Sequence, residues 1–213
     1  MTKGVAVVSL VLLVASSVLV GATEVGIRFG VGYNPNVTTT FRRVQLPLTV
    51  HVAAYGEFQS DRWTGSISVG SSLLQWALSL MLDASYAVTT QVDASAHLTV
   101  SRSGGFTFLG VGFGGMVALS DQPARLSVGS TPLSIGVLHF QDRWSTSVSA
   151  LPALFIEADW RNVQETHFRE RIDLVLTPLT SAMVQENLPP ERMWEHVGLT
   201  ISATTSVGVP IPQ

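Results

Sequence analysis

The strongest constraint on this chain is a side-chain alternation of period two, sustained over runs longer than an ordinary strand. In Glu24 to Tyr33, Val25, Ile27, Phe29, Val31 and Tyr33 share one face, and Gly26, Arg28, Gly30 and Gly32 share the other. Successive side chains of a strand point to opposite sides, so this segment has an apolar face and a small or charged face. The pattern recurs. Leu46, Leu48, Val50, Val52 and Ala54 oppose Gln45, Thr49, His51 and Tyr55, and Trp63, Ile67 and Val69 oppose Thr64, Ser66 and Ser68. Val92, Ala94, Ala96 and Leu98 oppose Asp93, Ser95, His97 and Thr99. Thr107, Leu109, Val111, Phe113 and Val117 oppose Gly110, Gly112 and Gly114. Later, in one long stretch with a kink at Pro152, Trp144, Val148, Ala150, Leu154, Ile156 and Trp160 oppose Ser145, Ser147, Ser149, Glu157 and Asp159, and Val197 to Val209 alternates with Gly198 to Ser206.

Turn-forming clusters separate the runs: Asn34-Pro35-Asn36, Ser60-Asp61-Arg62, Ser103-Gly104-Gly105, Asp121-Gln122-Pro123 and Gln141-Asp142-Arg143. Leu73 to Leu82 also fits period two and is read as a strand, with a buried helix as the alternative. The class is therefore all-β, as a sandwich or barrel. Several runs reach the roughly 9–11 residues that a membrane-crossing strand needs. Charged residues make up only 13% of the chain, against about 25% in an average soluble domain. A soluble sandwich would carry more Lys, Glu and Asp on its outward face. Ser, Thr, Gly and Gln on the polar face suit instead the packed interior of a narrow barrel. The expected fold is an antiparallel up-and-down transmembrane barrel of about eight to ten strands. Trp63, Trp76, Trp144, Trp160 and Trp194 fall near strand ends, where an interfacial girdle would lie.

The N-terminus has a different character. Lys3 precedes an apolar run from Val5 to Val20, and Val20-Gly21-Ala22 offers small residues for cleavage. This is the three-part secretory pattern, which makes residues 1–22 a signal peptide and 23–213 the barrel domain. An uncleaved anchor is the alternative. The chain has no Cys, hence no lipid attachment and no disulfide framework. Formal net charge is −3 with no Lys/Arg cluster, so nucleic acid is excluded as a partner.

Two stretches echo each other. Phe58-Gln59-Ser60-Asp61-Arg62-Trp63 resembles Phe140-Gln141-Asp142-Arg143-Trp144, and Pro47-Leu48-Thr49-Val50 resembles Pro132-Leu133-Ser134-Ile135. Convergent turn chemistry explains this, or an internal duplication of about 24–102 and 106–209. If equivalent turns share one end of the barrel, an even number of strands separates them. That requires Arg62–Val69 and Leu73–Asp83 to form one long strand, bulged at Gly70-Ser71-Ser72.

Candidate chemistry lies on the polar faces. Asp93, Ser95 and His97 share one face of one strand and are weak catalytic candidates as a Ser–His–Asp set. No nucleophile elbow accompanies them, and a hydrogen-bonded interior is the competing explanation. His51 and Glu57 share an inner face, and Arg28 is expected to pair with Glu57, Asp93, Glu157 or Asp159. His51, His97, His139, His167 and His196 are dispersed without metal-ligand spacing. The glycines Gly110, Gly112, Gly114 and Gly115 precede no helix and are expected to relieve curvature or admit a bulky neighbour. No metal or cofactor is expected.

Signal segment, alternating strands, short turns and a small-polar inner face together resemble the small outer-membrane β-barrel class, such as OmpA-like barrels. The resemblance is one of pattern and covers nearly all of the chain after Ala22. It implies residence in the outer membrane, the lipid bilayer as partner, and a structural, adhesion or narrow-pore role. This chain departs from the class by ending on Val209-Pro210-Ile211-Pro212-Gln213, without a terminal aromatic. The alternative is a periplasmic or secreted barrel or sandwich that binds an apolar ligand. A barrel-embedded lipid hydrolase is more distant.

Overall fold

A computed structural model describes residues 22–33, 39–41, 44–46, 48–73, 77–103, 106–140, 143–149, 153–163, 166–178 and 197–212. The expected signal segment before Ala22 lies outside the described residues, as do Trp76 and Trp194. The described residues form thirteen strands: β1 (Glu24–Tyr33), β2 (Thr39–Phe41), β3 (Val44–Leu46), β4 (Leu48–Ser60), β5 (Trp63–Ser72), β6 (Ala77–Ala87), β7 (Val92–Ser103), β8 (Phe106–Ser120), β9 (Arg125–Phe140), β10 (Arg143–Ser149), β11 (Ala153–Val163), β12 (Thr166–Pro178) and β13 (Val197–Pro210).

All but β2 and β3, which form a small hairpin between β1 and β4, belong to one antiparallel sheet. β10 pairs with the later half of β9 and β11 with its earlier half, so the two share one position in the wall. Pairing of β8 with β9 and of β13 with β1 closes the sheet into a ten-stranded barrel. Closure removes free edges, which a strand in lipid could not leave unpaired. The joined-strand expectation for 62–83 is corrected here. β5 and β6 are separate and pair antiparallel from Trp63↔Tyr86 to Ser72↔Ala77. The phase shift near Gly70 is a chain reversal, not a bulge.

The echo acquires a place through this correction. β4 and β9 carry the matching upstream segments, and β5 and β10 follow the matching turns. The Ser60–Trp63 turn lies at the end of the barrel that holds Glu24 and Pro210, the near end. The β9–β10 reversal lies at the opposite, far end. The two stretches therefore point in opposite directions along the barrel. The near-end reversals are tight. Asp61 takes φ 38° in the two-residue turn that joins β4 to β5, as the twist of a close hairpin requires. Thr89 Oγ1 accepts from the Gln91 and Val92 amides, at 3.2 and 3.0 Å, to fix the β6–β7 turn.

Polarity is inside out. The alternating apolar residues face outward: Ile27 is 62% exposed and Ile172 53%, whereas Ser68 on the inner wall is 2% exposed. Phe29, Leu82, Phe113, Val128, Ile156, Leu174, Ile201 and Val207 continue the outer belt. Near-end aromatic residues rim it. Trp63 packs against Tyr86 with ring centroids 4.9 Å apart and planes tilted by 52°, and Trp160 pairs across strands with Phe168. β13 closes against the whole of β1 through Ile201–Pro210, with Val207 and Val209 outward.

Candidate functional site: a charged layer in the barrel lumen

The inner face of each strand supplies one side chain every second residue, and these converge on a cavity of about 580 Å³. Near its floor the side chains are charged. Toward the far end Gly30, Gly32, Thr49, Ser79, Ser202 and Thr204 line it, with Arg171 and Asp173 level with Thr204 and Ser202 on β12.

Most of the charged layer is one connected network. Tyr55 Oη donates to Glu24 Oε1 at 2.7 Å, and His167 Nδ1 lies 2.5 Å from Glu24 Oε2. The other ring nitrogen of His167 bonds Asp159 Oδ1. Arg169, two residues along β12 and on the same inner face, donates to Glu57 at 3.1 Å and lies 3.6 Å from Glu157 and 3.7 Å from Asp159. Arg171 forms a 2.7 Å ion pair with Asp173, and its guanidinium stacks 3.7 Å from the Phe155 ring centroid. On the other wall Arg125 pairs with Asp93 at 3.0 Å. Glu24, Glu57, Asp93, Asp159 and His167 are all buried. Charges removed from water need partners and further hydrogen bonds, and these have them.

Glycine makes the geometry possible. The Glu24–His167 contact spans β13, and a Cβ on Gly208 of that strand would meet the Glu24 carboxylate and the Tyr55 hydroxyl. The same device recurs on the inner wall. A Cβ on Gly112 would overlap the His97 ring, one on Gly70 the His51 ring, and one on Gly129 the Phe155 ring. Each ring therefore lies flat across a neighbouring strand. Gly112 does admit a bulky neighbour, one of the two roles its position suggested.

Asp93, Ser95 and His97 all face the lumen from β7. Asp93 is engaged by Arg125, and among the described residues no hydrogen bond joins Ser95 to His97. The register sets His97 opposite Asp83, whose carboxylate accepts from Ser66 Oγ at 3.1 Å. His51 meets Ser79 Oγ at 2.8 Å, and Glu57 joins the Arg169 cluster. The expected carboxylate partner for Arg28 is corrected. Its Nε donates to Ser206 Oγ at 3.3 Å, and its guanidinium stands 5.3 Å from the Tyr55 ring centroid. Arg125 and Arg169 have taken the four carboxylates proposed for it.

Sequence reasoning missed the centre of the network. His167, Arg169 and Arg171 stand on β12, and Arg125 and Ser127 on the first half of β9, neither of which stood out as an alternating run. In β12 the outward residues are Phe168, Glu170, Ile172 and Leu174. Glu170 interrupts the apolar face and turns the segment into an apparent solvated charge run. Alternation of the basic residues His167, Arg169 and Arg171 was the signal available.

No protein family and no curated protein sequence matches the chain. Among solved structures it is similar to the KdgM porin in complex with disordered oligogalacturonate (8% identity, TM-score 0.43, covering 89% of this chain and 99% of that one). It is also similar to the NanC porin (6% identity, TM-score 0.40, covering 87% and 100%).

Proposed function

We propose that the protein is an integral outer-membrane barrel whose polar lumen forms a narrow passage constricted by the charged layer. The inside-out distribution of side chains carries this reading. A belt of Val, Leu, Ile and Phe faces outward, while carboxylates, guanidiniums and hydroxyls face in. In water such a surface would associate; in a bilayer it is the stable arrangement. The near-end rim of Trp63, Tyr86, Trp160 and Phe168 suits a membrane interface. Short reversals and both barrel-closing strand ends lie at the near end, and the strand ends Tyr33, Leu48, Pro178 and Val197 lie at the far end. By the usual arrangement of such barrels the near end is periplasmic and the far end external.

The alternatives fit less well. An apolar-ligand carrier needs apolar side chains converging inward, and this lumen is lined mainly by Ser, Thr, Gly and charged groups. A hydrolase at Ser95 needs a base on its hydroxyl, and His97 makes no such bond. Purification decides the main question. The barrel is expected to need detergent to stay monodisperse and, in planar bilayers, to give only small conductance steps. A monodisperse, detergent-free protein overturns the membrane reading, and steps typical of a wide aqueous pore overturn the constriction.

A further inference from the structure

Arg28 differs from the other lumen-facing arginines in one respect. Among the described residues Arg125, Arg169 and Arg171 each hold a carboxylate within 4 Å, and Arg28 holds none. Its Nε is used by Ser206, and among the described residues no hydrogen bond or ion pair engages the two terminal nitrogens of the guanidinium. Tyr55 stands next to it with its two polar features divided. The hydroxyl is committed to Glu24, and the ring receives Arg28.

Beyond Arg28 the wall is lined by hydroxyls. Gly30 and Gly32 follow it on the inner face of β1, and the space their missing side chains leave is taken by the Thr204 and Thr49 hydroxyls. Thr204 and Ser202 stand beside these glycines on β13, and His51 and Thr49 on β4. The Thr204 and Ser202 hydroxyls thus share the lumen wall with the Arg28 guanidinium at the edge of a 580 Å³ cavity; Thr49 is bonded to the Gly32 carbonyl and His51 to Ser79, and the Arg171–Asp173 pair stands level with Thr204 and Ser202 on β12. A planar fork with free N–H donors matches a carboxylate or phosphate in bidentate geometry. The partly desolvated lumen strengthens that interaction relative to bulk water.

We propose that Arg28 is the anchor of an oxyanion-binding subsite in the lumen, taking the carboxylate or phosphate group of a small polar solute. Thr204, Ser202 and His51 are placed to contact the rest of that solute. This subsite rests on the lumen being water-filled, as the membrane reading requires, but its test is separate from the test of membrane residence.

The full chain, folded in an uncharged maltoside detergent, is titrated with sodium phosphate and, in a parallel arm, sodium acetate. Sodium chloride at matched ionic strength is the reference, and the apparent unfolding midpoint is the readout. A saturable upward shift with at least one oxyanion, absent with chloride, is expected; the two arms tell phosphate from carboxylate preference. Arg28→Gln is expected to weaken the response at least tenfold. Arg28→Lys, which keeps the charge but not the fork, should fall between Gln and the parent and also guards against loss of fold. Arg62→Gln, in an exposed near-end turn, should respond like the parent. Oxyanion shifts equal to those of chloride overturn the proposal, and so does a response undiminished in Arg28→Gln. Because the barrel is in detergent throughout, either result leaves its detergent requirement as an independent observation.

Discussion

His167 and Glu24 are 143 positions apart in the chain, yet His167 Nδ1 lies 2.5 Å from Glu24 Oε2, reaching across the strand that closes the barrel. β12 and β1 flank β13, so this contact ties together the two sides of the closing seam. Gly208 leaves the space through which it passes. The seam thus has a buried polar bond in addition to its backbone ladder.

Removing His167 should therefore be costly. His167→Ala leaves Glu24 and Asp159 buried without their shared partner. Breaking a buried charged network by deleting one member costs about 3–5 kcal/mol. Urea unfolding in micelles is the measurement, and a loss under about 1 kcal/mol would show that water replaces the ring freely.

The glycine that admits this contact is testable at the level of one methyl group. Gly208→Ala places a Cβ against the Glu24 carboxylate and the Tyr55 hydroxyl. A loss of about 1–3 kcal/mol is expected from overpacking. Gly65→Ala is the control, because its Cβ would meet nothing closer than the Asp83 carbonyl oxygen at 3.7 Å. That change should stay within about 0.5 kcal/mol.

Phe29, in the middle of β1, is 47% exposed on the outer belt. In a bilayer Phe29→Arg should destabilise the barrel by about 2–4 kcal/mol, the cost of a cation near the membrane midplane. On a water-facing surface the same change would fall within about 0.5 kcal/mol. Equilibrium folding into lipid vesicles distinguishes the two outcomes.

Trp63 is 58% exposed and packs against Tyr86 in a tilted geometry at the near-end rim. A variant that keeps Trp63 and replaces the other tryptophans with Phe should show blue-shifted emission in vesicles. Lipids brominated near the headgroup should quench it more strongly than lipids brominated near the chain ends. The reverse order would place the rim at the wrong depth.

Much of the wall was legible before any fold was known. The alternating faces of β1, β4 to β8, β11 and β13 follow from period two, and the inward and outward sets match the expected ones residue by residue where side chains are described. Two strands were not legible as such. In β12, Glu170 on the outer face masked the alternation. In β9, Pro132 and the register shift between Phe113 and Gly115 of its partner β8 break the phase midway. The Arg28 partner was misassigned for a related reason. Alternation says that Arg28 points inward, but which carboxylate it could meet depends on the stagger of the strands around the barrel.

The sequence alone determined that most of the chain forms two-faced strands, because side-chain direction along a strand is a local property of the backbone. Only the tertiary structure decided that ten strands close the wall and that Glu24, Glu57, Asp159, His167 and Arg169 meet in one layer. Those outcomes depend on register and closure, which bring together residues from opposite ends of the chain and which no local pattern encodes.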